Sequence, residues 1–325
     1  MSRASRATDA RAGAAARGIA ALVLLLLLLA LSACGRQNGV VGSEPLASTP
    51  DSAAPDSGPQ VLTYRTDFDA PSDWLPHNGL PGSSIDFGVP VTGATDPSTA
   101  ELRFPGHPEY AATQNAGADY KNLTQIESPQ TFGFGTYRTH VAFGSCQASE
   151  DAVNAALGYF DDGTDLDQDG ITDHLEIDFQ VLCGTPRELF LTVFTEFDAT
   201  QFRKLSHVID FSTGDVSDTP SAQSDAFTKT NTDPSLVHPE LFAADTFYEV
   251  GFEWHSTSLR FFMLIGGTER TLWTLTDPAH IPQRPVSFLY NLWHPAAHWY
   301  PATTAAAFPA NDVVMHIDWF EYYAE

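Results

Sequence analysis

The nine residues His174-Leu175-Glu176-Ile177-Asp178-Phe179-Gln180-Val181-Leu182 decide the fold. On an extended strand successive side chains point to opposite faces, so Glu176, Asp178 and Gln180 project together and Ile177 and Phe179 project the other way. One face suits a core; the other carries two acids and an amide. Outward from this segment the chain repeats the theme in short runs rich in Phe, Tyr, Trp, Val and Thr. Gly133, Gly135, Gly158, Gly184 and Gly266-Gly267 punctuate them. Strands are expected near 60–68, 100–104, 135–143, 155–160, 174–182, 188–194, 247–254, 258–265, 286–292 and 313–323. No long stretch keeps a helical period. The reading is an all-β chain, with residues 61–325 forming one two-sheet antiparallel sandwich.

The beginning of the chain reads differently. Arg3, Arg6, Arg11 and Arg17 precede an apolar run from Ile19 to Leu31, which reads as a secretory signal over residues 1–33. The run ends in Leu31-Ser32-Ala33-Cys34, which resembles a bacterial lipobox, with Cys34 as the lipidated first residue of the mature chain. This predicts export and lipid anchoring to a bacterial membrane, at the outer membrane or cell surface. Residues 34–60, dominated by small, polar and Pro residues, read as a flexible tether. With Cys34 assigned to lipid, Cys146 and Cys183 remain as a disulfide candidate in an exported domain. Loss of four leader arginines and Asp9 takes the net charge from −25 to −28. Such a chain repels nucleic acid and anionic membrane faces, and leaves neutral glycans as partners. It is expected to act as a monomer.

The acids of the central strand have a chemical meaning. A retaining glycosidase uses a carboxylate nucleophile and a second carboxyl as acid/base, about 5–5.5 Å apart. Glu176 suits the first role. Gln180 stands where the second belongs, and an amide has no acidic proton to give. His174, on the same face, and Glu196, near the end of the next strand, are the other proton carriers in the vicinity.

Just before the strand, Asp165-Leu166-Asp167-Gln168-Asp169-Gly170-Ile171-Thr172-Asp173 reads D-x-D-x-D-G-x-x-D. Calcium takes six to eight oxygens, and alternating carboxylates around a glycine turn can wrap one ion. The pattern resembles EF-hand and thrombospondin type 3 loops. Asp165, Asp167, Asp169, the Ile171 carbonyl and Asp173 are the expected ligands of a structural Ca2+. Glu176 falls at loop position 12 and competes with Asp173 for the closing role.

Several segments, in order, resemble glycoside hydrolase family 16, the laminarinase and lichenase group. They are Tyr64-Arg65-Thr66-Asp67-Phe68-Asp69 with Trp74, and the strand-turn-strand from Gln125 to Arg138. The Phe247–Trp254 hairpin with Leu259-Arg260-Phe261-Phe262, the segment Pro285 to Trp293, and the closing His316–Tyr323 complete the set. The resemblance implies a concanavalin A-like jelly roll acting on a β-linked neutral polysaccharide. It carries the nucleophile onto Glu176 and the assisting carboxylate onto Asp178, with Gln180 at the acid/base position. It also implies a second calcium ligand at Asp318. Sugar rings present apolar CH faces that stack on aromatic side chains. Trp293, His294, Trp299 and Tyr300 follow the Asn291 strand, in a region that borders the family's cleft. Trp254, Trp273 and Trp319 read as core.

Three functions fit these residues: an anchored glycan-cleaving enzyme with altered chemistry, a glycan-binding protein on the same scaffold, and a structural surface lipoprotein. The amide at Gln180 tilts the balance towards reduced or absent hydrolysis.

Overall fold

A computed structural model describes residues 60–70, 73–106, 123–166, 168–198, 201–295 and 306–325. Cys34, Asp167, Trp299 and Tyr300 lie outside them. Residues 57–325 form one compact unit.

Seventeen strands are found among the described residues. In chain order they are β1 (Val61–Thr66), β2 (Leu75–Asn78), β3 (Ser84–Val89), β4 (Thr99–Phe104), β5 (Leu123–Phe132) and β6 (Gly135–Ala142). Next come β7 (Val153–Asp161), β8 (Asp173–Leu182), β9 (Glu188–Phe197), β10 (Phe202–Asp210), β11 (Asp215–Asp218) and β12 (Thr228–Thr232). The last are β13 (Tyr248–His255), β14 (Ser258–Ile265), β15 (Thr268–Leu275), β16 (Val286–Trp293) and β17 (Val313–Ala324).

They make two antiparallel sheets. One runs β15-β14-β13-β6-β17-β4-β3, with β1 added on β17; the other runs β12-β11-β10-β9-β8-β7-β16-β5-β2. The fold is an all-β jelly-roll sandwich. Each of the ten expected ranges overlaps an observed strand, mostly shifted by one or two residues at an end. Strand β5 lies in the Gln125–Arg138 segment given by the resemblance, and strands β2, β3, β10, β11, β12 and β15 have no counterpart among the expectations. Apart from β10, an interior strand whose first half holds the charged Arg203 and Lys204, the latter are short, polar or edge elements, and their stability comes from neighbours rather than from an alternating apolar pattern.

The core lies between the sheets. Ile177, Phe179 and Val181 of β8 are buried there, facing residues such as Phe252, Phe261 and Phe320. Tyr137 stacks on Phe252 at 4.5 Å and Phe288 meets Phe320 at 4.4 Å. Close approach of β13 to β6 demands glycine at Gly251, where a Cβ would stand 2.0 Å from the Tyr137 carbonyl oxygen. Trp254 is fully buried, Trp319 is buried, and Trp273 packs partly buried against the same core. Cys146 and Cys183 form a disulfide across 37 residues, tying the segment before β7 to the end of β8.

Candidate functional site

Strand register places the site. Residues directly opposite on neighbouring strands share a face, so rows run across the nine-stranded sheet on the side away from the core. One row is Ser287, Tyr159, Glu176, Phe194 and Lys204. The next is Leu289, Leu157, Asp178, Thr192 and Ser206, and a third is Asn291, Ala155, Gln180, Phe190 and Val208. A fourth holds Trp293, Val153 and Leu182.

Burial differs sharply between rows. All five residues of the Glu176 row are half-buried. Those of the Asp178 and Gln180 rows are buried, and Leu157, Ala155, Phe190, Val208 and Leu289 form a second apolar cluster with Val153 and Leu182. Of the three polar groups read from the sequence, Glu176 alone keeps appreciable exposure, at 18% of its side chain. Asp178 is completely buried and Gln180 retains 9%.

Glu176 is oriented by its own strand. His174 Nε2 lies 2.8 Å from Glu176 Oε1, and His174 Nδ1 lies 3.4 Å from Asp161 Oδ2. Burial disfavours a charged imidazole here, but the bonds to Glu176 and Asp161 outweigh it and raise the His174 pKa. The ring is buried beneath Tyr159, Phe194 and Phe197, at centroid distances of 5.3, 5.8 and 5.3 Å. Such a histidine holds Glu176 but cannot reach a leaving group above the sheet.

Both Asp178 oxygens are buried beside Glu176. Burial, then the charge of Glu176, drives its pKa well above the usual carboxylate range, with Lys204 only partly opposing. Burial thus favours its protonated form and seals it from substrate. Glu196, the other proton carrier considered, is buried and bonded to Arg203 at 2.5 Å.

The acidic loop joins β7 to β8. Gly170 adopts a φ of +95°, and its N–H donates to Asp165 Oδ2 at 2.9 Å. The Leu166 N–H donates to Asp173 at 3.1 Å, and the Ile171 N–H to Asp169 at 3.0 Å. Arg203 bonds Asp169, and Arg284 lies 3.0 Å from Asp162 and 3.8 Å from Asp173. Asp165 Oδ1 is buried with no hydrogen-bond partner. That orphaned oxygen, in an all-oxygen donor set around a glycine turn, fits a hard cation such as calcium. Among the described residues alone, no three His, Cys, Asp or Glu converge on one point. Glu176 belongs to β8 and bonds His174 rather than the loop.

Asp318 sits at a bulge in β17 between Ile317 and Trp319. Its carboxylate accepts from the Thr95 N–H and hydroxyl at 2.7 Å each and the Asp96 N–H at 3.1 Å, with His140 Nδ1 at 2.6 Å. Burial opposes its ionisation, yet these bonds hold its pKa below the ordinary value. This is a carboxylate satisfied by protein donors.

Trp293 is half-buried against the second apolar cluster. It lies three rows along and two strands across from Glu176, roughly 20 Å away at strand spacings. The ring of His294 lies 5.1 Å from that of Phe308. Register sets Glu176 and Trp293 on the same face of the sheet, at opposite ends of these rows. Sequence reasoning missed Tyr159, Phe194, Phe197, Phe202 and Lys204, whose only signal was strand pairing.

No protein-family model matches the chain, and no curated protein matches it significantly. Solved structures similar to it include a Bacillus licheniformis β-glucanase, at 14% identity over 81% of this chain and 98% of that one, with a TM-score of 0.46. A prokaryotic β-1,3-1,4-glucanase (lichenase) from a mouse hindgut metagenome gives 14% identity, 81% and 99% coverage, and a TM-score of 0.46. LamAcat from Zobellia galactanivorans gives 12% identity, 81% and 97% coverage, and a TM-score of 0.45.

Proposed function

We propose that the chain is an exported, lipid-anchored, glycan-directed protein that engages a β-linked neutral polysaccharide on the outer face of its nine-stranded sheet, with hydrolysis slow or absent. The observation behind this reading is the asymmetry of the polar triplet. Glu176 is oriented by His174 and reaches solvent, while Asp178 is sealed and position 180 is an amide. A retaining cleavage needs a nucleophile and a proton donor to the leaving oxygen. The accessible carboxylate can accept hydroxyl hydrogen bonds or attack an anomeric carbon. No second acid stands beside it on the open row. Acid assistance contributes about 10²–10⁴ in rate, so its loss leaves a binder or a very slow enzyme.

Reducing-end release by residues 57–325 on laminarin, mixed-linkage glucan, agarose and xyloglucan tests this. Activity gained only by Gln180→Glu supports a disarmed hydrolase. Rapid cleavage by the unaltered protein, lost in Glu176→Gln, defeats the reading in favour of a working enzyme.

The same proposal places Cys34 in a lipid anchor, and calcium on Asp165, Asp167, Asp169, Asp173 and the Ile171 carbonyl. Bound there, the ion would neutralise the loop beside β8, in competition with Arg203 and Arg284. Cys34→Ser should release the protein from membranes on fractionation.

A further inference from the structure

We propose that the connection between β11 and β12, residues 219–227, is a strap closed over the middle of the outer face of the nine-stranded sheet. Its lifting uncovers an apolar floor rimmed by the ammonium of Lys204. The strap is independent of which ligand the face takes.

Ala155, Leu157, Phe190, Val208 and Leu289 point away from the core, yet none is more than 4% exposed. An antiparallel sheet face turned to water would carry polar side chains at such positions, so this floor is covered. Part of the cover is Phe227, which packs against the cluster with its ring 6.2 Å from that of Phe190. Phe190 belongs to β9, and β10 lies between β9 and β11. The chain leaving β11 must therefore cross the outer side of β10 to bring Phe227 there. Asp225 marks the same path. Its Oδ1 lies 2.5 Å from Nζ of Lys204, which projects from the outer side of β10 in the row of Glu176 and Phe194.

The base of the strap is pinned. The Thr219 N–H donates to the Ser206 carbonyl at 3.0 Å, and the Ser206 N–H donates to the Thr219 hydroxyl at 3.0 Å. The Lys204 N–H donates to the Ala222 carbonyl at 2.9 Å, and the ladder closes behind the strap where Asp218 faces Thr228. The tip is different. Gln223, Asp225 and Ala226 are exposed, and the Asp225 side chain keeps 70% of its exposure. An ion pair so open to water is screened and contributes little. Phe227, a half-buried ring on an apolar floor, supplies the stronger adhesion. A tip that adheres in this way lifts while its base stays paired. Closed, the strap matches Lys204 with its own carboxylate and covers Phe190. Open, it bares Phe190 and releases the ammonium beside Phe194 and Glu176. The strap is thus an internal occupant that a ligand of the middle rows has to displace.

The test titrates residues 57–325 with anilinonaphthalene sulfonate, whose rings and sulfonate match an apolar floor rimmed by an ammonium, and follows amide exchange by mass spectrometry. The unaltered protein should bind the dye weakly. Asp225→Asn should raise dye affinity about two- to fivefold, and Phe227→Ala about tenfold or more. Exchange should quicken in residues 202–206 and 219–227 and stay unchanged in β7, β8 and β16. Phe227→Leu, which keeps an apolar contact, should restore most of the closure. Asp225 is exposed enough that its substitution leaves the fold intact, so it decides the matter if Phe227→Ala unfolds. Unchanged dye affinity and exchange in Asp225→Asn overturns the strap. So does exchange quickened alike in β7, β8 and β16, which would mark general loosening, or strong dye binding by the unaltered protein, which would mark a floor already open.

Discussion

Glu188 shows what a single half-buried acid does to this protein. It opens β9, directly opposite Asp210 on β10. Burial pushes its pKa up to about 7, and the charges of Asp210 and Asp151 add to the shift. A carboxyl whose pKa is raised in the folded state binds its proton more tightly there than in the unfolded chain. Stability is therefore highest below the ordinary value of 4.5 and falls as pH rises towards about 7. The two values bound the effect at no more than about 3 kcal/mol, less what solvent screening removes from a half-buried group. Urea melts at pH 4.5 and 8 should show Glu188→Gln losing less stability over this interval than the unaltered protein. An identical loss in both would remove Glu188 as the cause. Asp178 is shifted in the same direction and steepens the trend. Neither effect is legible in the sequence. The alternation of β8 assigns Glu176, Asp178 and Gln180 to one face, but which of them meets water depends on Leu157, Thr192, Ala155 and Phe190, and these reach the face only through pairing.

At the scale of elements, β8 is the best-read strand because its inner side chains alternate cleanly and its partners cover them. Strand β12 is the opposite case: Thr228–Thr232 is exposed throughout, so no apolar period marks it and only its ladder to β11 defines it. The end of β8 is secured by the Cys146–Cys183 bridge. A loop of 37 residues closed in the unfolded chain is worth about 4 kcal/mol in the chain-entropy treatment. The paired Cys146→Ser/Cys183→Ser variant should lose stability of that order in urea melts, and a loss under about 1 kcal/mol would show that residual structure already holds the ends together. At its other end β8 meets the acidic loop. If calcium occupies it, millimolar calcium should raise the melting temperature, chelator should reverse the rise, and Asp165→Asn should abolish it. A melt indifferent to calcium leaves Arg203 and Arg284 as the loop's sole counter-charges.

On the scale of the whole molecule, the sandwich depends on β17, and the long-range contacts that make it central are the least legible part of the fold. Its alternating Val313–Ile317 stretch predicts a strand, but says nothing of its three partners. In the structure β17 pairs with β1, β4 and β6, shifting register at Asp318 so that one strand serves all three. Phe320 projects from it into the centre of the core, fully buried, with rings of Tyr64, Trp74, Phe132, Tyr137 and Phe288 around it. Truncating such a side chain removes its transfer energy and leaves a cavity that a two-sheet core cannot close by shifting one element. Phe320→Ala should therefore cost about 3–5 kcal/mol in equilibrium unfolding. Trp319→Ala, on the neighbouring position, tests the specificity of that claim. Its ring lies outside the main cluster, stacked on His140 at 5.7 Å and bonded to the Thr95 hydroxyl at 3.0 Å. The first substitution should destabilise the sandwich more than the second, and the reverse order would place the mechanical centre of the fold at the Asp318 bulge instead of in the aromatic core.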